Sequence, residues 1–129
     1  MSRRFTLIPT NLLEASAELL ARAARDPAVV VEVERDTVLY FAGTEAVAPY
    51  AIGGACLGCL RIDGSGVFHV DAEGYEGSIE HLAVYLRWLL SQHACRVIDD
   101  DTGRELTNEA ITALDALLEL RKTPASSRS

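Results

Sequence analysis

The spacing of apolar residues changes along this chain, and each change marks an element. Phe5 to Ile8 is a short apolar run broken by Pro9-Thr10-Asn11, and it reads as a first strand. Leu13, Ala17, Leu20 and Ala24 then recur at helical spacing, with Leu12 and Leu19 widening the stripe. Asn11 and Glu14 have the spacing of a capping box. Asp26-Pro27 ends the helix, because a residue before proline is pushed out of helical φ/ψ space. Ala28 to Glu34 alternates, with Val29, Val31 and Val33 on one face and Glu32 and Glu34 on the other. Thr37 to Ala42 is again β-like, so the two runs predict a hairpin around Arg35-Asp36. Gly43 to Ile52, with Pro49, reads as a loop.

A second hairpin is predicted from Cys56 to Ile62 and Val67 to Ala72 about the turn Asp63-Gly64-Ser65-Gly66. Pairing across that four-residue turn sets His69 opposite Leu60. Asp71 to Gly77 reads as an acidic loop, and Ser78 as the cap of a strongly apolar helix. Ile79, Leu82, Ala83, Leu86, Leu89 and Leu90 form its main face, and Val84, Tyr85 and Trp88 extend it beyond half the circumference. Cys95 to Ile98 reads as a strand, Asp99 to Arg104 as a turn, and the stretch from Thr107 as a last helix with Ile111, Leu114, Leu117 and Leu118 inward. The order β-α-β-β-β-β-α-β-α lacks strict alternation. It predicts an α+β fold, with an antiparallel or mixed sheet of about five to six strands covered by three helices. Residues 1–122 form one domain in this reading, and 123–129 a frayed tail.

Charge narrows the choice of partner. The chain carries a net charge of −7, with eleven arginines but only Lys122 among lysines, so nucleic acid and anionic membrane are poor fits as main partners. A cationic protein suits this balance better. No apolar run approaches the roughly 20 residues of a bilayer span, and the N-terminus lacks the apolar region of a secretory signal. The odd count of three cysteines points to a reducing compartment, hence the cytoplasm. Abundant alanine and arginine beside the single lysine fit GC-rich, bacterial coding.

Candidate chemistry is sparse. Cys56 and Cys59 have C-x-x-C spacing, but the motif lies in a predicted strand, where positions three apart face opposite ways. Buried structural cysteines are the favoured reading there and at Cys95. His81 and His93 are about 18 Å apart along one helix, too far to share a metal. Asp99-Asp100-Asp101 is the densest carboxylate cluster, and Asp71, Glu73, Glu76 and Glu80, with Tyr75 in their midst, form a second. Hard cations prefer such oxygens, so Asp99 with Asp101, or the cysteine pair, marks a metal-binding alternative. The aspartate run also resembles the motif of haloacid-dehalogenase-type phosphatases, but Gly103 stands where that motif has a hydroxyl. No nucleophile elbow, phosphate loop or metalloprotease helix motif is present, and no cofactor, metal or catalytic residue is assigned.

The tract from His93 to Gly103 and the loop from Asp71 to Gly77 give the chain a resemblance to the small acidic immunity proteins with which bacteria neutralise toxins. That resemblance implies a non-enzymatic inhibitor of a basic toxin or effector, binding through Asp71, Glu73, Tyr75, Glu76, Asp99, Asp100 and Asp101. The element order is also similar to that of type III secretion chaperones. This implies a homodimer in which the second face of the helix with Val84, Tyr85 and Trp88 meets its copy.

Overall fold

The computed structural model describes residues 4–42, 57–72 and 76–106 of the 129. Seven strands and two helices occur among them: β1 (Arg4–Pro9), α1 (Leu12–Ala24), β2 (Val29–Val33), β3 (Thr37–Phe41), β4 (Gly58–Ile62), β5 (Phe68–Asp71), α2 (Glu76–Gln92), β6 (Cys95–Asp99) and β7 (Arg104–Leu106). The strands make a single antiparallel sheet in the order β2-β3-β4-β5-β1-β6-β7. The α+β class therefore stands, and the sheet is antiparallel rather than mixed. The seventh strand, β7, is a correction to the predicted count. The third predicted helix, from Thr107, lies outside the described residues, as do the tail, the loop from Gly43 to Ile52 and Cys56. No helix among the described residues is long and apolar enough to cross a membrane.

Alternation along the strands divides the sheet into two unlike faces. Phe5 and Leu7 of β1, Leu39 and Phe41 of β3, Leu60 of β4 and Phe68 of β5 are fully buried on the face that meets the helices. Helix α2 lies over β3 and β4, and α1 contacts β1 and β2. Only Val29 of the three inward valines of β2 is buried, whereas Val31 is 40% and Val33 72% exposed, because the strand runs out past the helical layer.

The first helix corrects the predicted stripe. Asn11 caps it as expected, its Oδ1 accepting from Glu14 N (3.1 Å) and its Nδ2 donating to Glu14 Oε2 (3.1 Å). The buried residues are Ala15, Leu19 and Ala23, and Leu13 is 85% exposed. Hydrophobicity alone favoured the bulkier Leu13, but the sheet sits close enough to accept alanines, and close contact selects the small side chains.

Ser78 is not a cap: α2 begins at Glu76, which places Ser78 within its first turn. Its buried hydroxyl accepts from Gly58 N (2.8 Å) and donates to Phe41 O, two residues opposite each other in the β3–β4 ladder. A Cβ on Gly58 would come 3.2 Å from Leu82 Cδ2 and 3.4 Å from Ser78 Oγ, so glycine lets the helix this close. The outer side of α2 is tied down by another set of bonds. Asp26 Oδ2 accepts from Tyr85 OH (2.8 Å) and pairs with His81 Nε2 (2.7 Å), while Phe41, His81 and Tyr85 stack edge to face. Arg22 spans the rings of Tyr85 and Trp88. Two of the three residues expected to cover α2 across a dimer are thus covered by α1 and its C-terminal turn within the chain.

Ser78→Ala leaves a buried N–H and a buried carbonyl short of a partner, so a loss of about 2 kcal/mol is expected, read as a lower denaturant midpoint at unchanged slope. Burial alone would raise the Asp26 carboxyl, but bonds from Ala28 N, His81 and Tyr85 outweigh it and hold it below the usual 3.8. A depressed folded pKa stabilises above the unfolded value and fades as pH falls through the folded one. Asp26→Asn should therefore cost stability at neutral pH and flatten the fall in melting temperature below pH 3.8, as measured by circular dichroism.

Candidate functional site

No described element packs on the second face of the sheet. Its polar phase contributes Arg4 and Thr6 from β1, Val38 and Tyr40 from β3, Cys59 and Arg61 from β4, and His69 and Asp71 from β5. Two adjoining hollows of about 450 and 410 Å³ lie on this face, and Val38, Tyr40 and Arg61 line both. The first is rimmed by Glu32, Glu34, Arg35 and Asp36, the second by Arg4, His69, Asp71 and Asp100. Carboxylates outnumber guanidinium groups around Tyr40, in keeping with the net charge of −7.

Short-range bonds hold these side chains in place. Arg61 is fixed by Asp36 (2.7 Å). His69 Nε2 meets Asp63 Oδ2 (2.8 Å), and Asp63 Oδ1 accepts from Ser65 N, Ser65 Oγ and Val67 N. The hydrogen bond with His69, followed by that from Ser65, holds the Asp63 carboxyl well below the ordinary carboxylate range. This network also corrects the hairpin register. Asp63 N bonds to Val67 O, so the loop proper is Gly64-Ser65-Gly66 with Gly66 at φ +91°, and His69 faces Arg61 instead of Leu60. Tyr40 is half-buried, and burial followed by the neighbouring Glu32 carboxylate pushes its phenol above the usual 10.0.

The acidic residues singled out from sequence go to different places. Asp71 and Asp100 come together on the rim of the second hollow, although Asp71 is the last residue of β5 rather than part of a loop. Asp100 accepts from Thr6 Oγ1 (2.8 Å) and donates its N–H to Arg4 O, so it is locked to the start of β1. Asp99 belongs to β6 and is buried on the helical side, where its Oδ1 accepts from Asp101 N (2.9 Å). The run Asp99 to Gly103 is thus a hairpin turn leading into β7, closed by Gly103 N on Asp99 O with Gly103 at φ +74°, and not a turn before a helix. Asp101 is exposed on that turn. Glu73, Tyr75 and the side chain of Glu76 lie outside the described residues.

Tyr40, Arg61 and Arg4 were not singled out from the sequence. The signal was the alternation itself: Tyr40 stands between the buried Leu39 and Phe41, Arg61 between the buried Leu60 and Ile62, and Arg4 directly before the buried Phe5. The cysteine and histidine candidates resolve separately. Cys59 is half-buried on the open face, and Cys95 is half-buried at the start of β6. Burial pushes the Cys95 thiol up to about 11. Each histidine is bonded to a carboxylate: His69 to Asp63, His81 to Asp26 and His93 to Glu18 (3.0 Å). Among the described residues, no three histidine, cysteine or acidic side chains converge as a metal ion would require. No family model, no curated protein and no solved structure matches this chain.

With so little thiolate at neutral pH, Cys95 should react with iodoacetamide in the folded protein on the order of a hundredfold more slowly than in the denatured chain, as followed by mass spectrometry at pH 8.

Proposed function

We propose that this chain is a non-enzymatic protein-binding domain of the inhibitor or immunity kind, which receives a basic toxin or effector on the open face of its sheet. The observation that carries this reading is Tyr40 at the junction of two hollows, with Arg61 beside it and carboxylates around the rim. Tyrosine and arginine held in place at the centre of a patch are the side chains that dominate protein interfaces. Both are ordered before a partner arrives, Arg61 by Asp36 and Tyr40 by Glu32, so little side-chain entropy remains to be lost on binding. The rim carboxylates Glu32, Glu34, Asp71 and Asp100 would steer a cationic partner and set its orientation.

This places the binding surface on a sheet face and not on the two acidic loops alone. Asp71 and Asp100 serve both descriptions, while Asp99 supports the turn that positions Asp100.

The test is capture of a partner from the source cells at low salt, followed by titration of the purified pair. Tyr40→Ala should weaken binding by about 2 kcal/mol, mostly through faster dissociation. Glu32→Lys with Asp100→Lys, both at exposed positions, should slow association and reduce its dependence on salt. A captured partner whose binding is unchanged in all these folded variants would refute the proposed face.

A further inference from the structure

The outer edge of β2 has features that the open face does not explain. This strand ends the sheet, and among the described residues no other strand pairs with it. Edge strands are usually blunted by lysine, proline, a bulge or extreme shortness. The opposite edge, β7, has three residues and is crossed by the Arg96–Glu105 ion pair. In contrast, β2 is Val-Val-Val-Glu-Val, pairs with β3 without a bulge from Val29 to Val33, and leaves Val31 and Val33 exposed on the helical side.

Backbone bonds at its two ends show which groups point outward. Ala42 N donates to Ala28 O, and Glu34 N donates to Asp36 O. Antiparallel ladders alternate bonded and non-bonded positions, so residues 28, 30, 32 and 34 face β3, while Val29, Val31 and Val33 turn their peptide groups away. Of these, Val29 N is already bonded to Asp26 O.

We propose that β2 is the pairing edge for a second copy of this chain, antiparallel about a twofold axis through Val31. Twofold axes through the three middle residues of β2 all align outward groups while keeping the helices of both copies on one side. An axis through Glu32 sets that carboxylate directly against its own copy. An axis through Val30 sets Val33 against Pro27, which has no N–H to give. The axis through Val31 avoids both faults. It joins the two Val31 residues by reciprocal bonds and takes each Val33 N–H to the Val29 carbonyl opposite, so the spent Val29 N–H is not needed. Val29, Val31 and Val33 of the copies then form one apolar ladder on the helical side, and each Glu32 lies opposite a Val30. The two sheets become continuous, with the open faces of both copies on the same side.

The interface is apolar and backbone-mediated between two chains of charge −7, so screening must strengthen it. Sedimentation velocity from micromolar to millimolar concentration should show a monomer–dimer equilibrium that tightens as salt is raised. Val31→Pro removes only an outward N–H, and Val33→Lys alters a side chain already 72% exposed. Each should weaken dimerisation by at least about tenfold with the circular dichroism spectrum retained. A hydrogen-bonded antiparallel pair has Cα atoms about 5.5 Å apart, within disulfide reach, so the Val31→Cys variant should form a covalent dimer on oxidation where the parent chain does not. A monomer throughout that range would overturn the proposal. So would a dimer indifferent to both Val31→Pro and Val33→Lys. Tyr40→Ala should leave dimerisation unchanged, which separates this surface from the one proposed for the basic partner.

Discussion

The arrangement of this molecule depends on one buried hydroxyl. Ser78 stands between the amide of Gly58 and the carbonyl of Phe41, which completes the β3–β4 ladder with a side chain from the helix above it. A helix held by hydrogen bonds at its first turn has far less freedom to slide than one held by apolar contact, which is non-directional. Leu82, Leu86 and Leu89 then fall onto the sheet without choice of register, and Tyr85 is delivered to Asp26. With both described helices committed to one face, the polar phase of every central strand is left on the other. The candidate binding surface is in this sense a by-product of where α2 is anchored.

Much of this was legible in the sequence. Alternation in Val29–Val33 and Thr37–Phe41 gave the first hairpin and its sidedness, and the apolar periodicity of α2 gave the central helix. Failures occurred where short-range polar bonding competes with pattern. Ser78 has the chemistry of a cap and is used as a bridge, because the residue whose N–H it accepts, Gly58, lies 20 positions away. The Asp63 carboxylate shortens a turn and shifts His69 by one partner. Helix α1 buries Ala15 and Ala23 beside Leu19 and leaves Leu13 exposed, because its distance from the sheet is a tertiary quantity. Strand β7 is three residues long and two of them are charged, so no hydrophobic period could announce it.

For the site, the sequence drew attention to density of charge, whereas the fold organises charge by phase along the strands. Asp99 and Asp100 are neighbours in the chain and occupy opposite faces of the sheet. Asp71 and Asp100, far apart in sequence, border one hollow. Tyr40 has no charged neighbour in sequence at all, and becomes central only because β3 and β4 pair. The three histidines illustrate the same point: each is bonded to a carboxylate, and together they fasten the β4–β5 hairpin and both ends of α2.

The position of β1 has a consequence for how the chain reaches this state. Strand β1, made before the other described strands, lies between β5 and β6, which are made about 60 and 90 residues later. Until they emerge β1 has no strand to pair with, and without β1 the sheet would fall into two parts, β2 to β5 on one side and β6 with β7 on the other. Strand β1 is therefore the seam on which the halves are joined. Folding on the ribosome must stay incomplete until residue Asp99 has been released from the exit tunnel, and β1 waits with at least one edge unpaired until then.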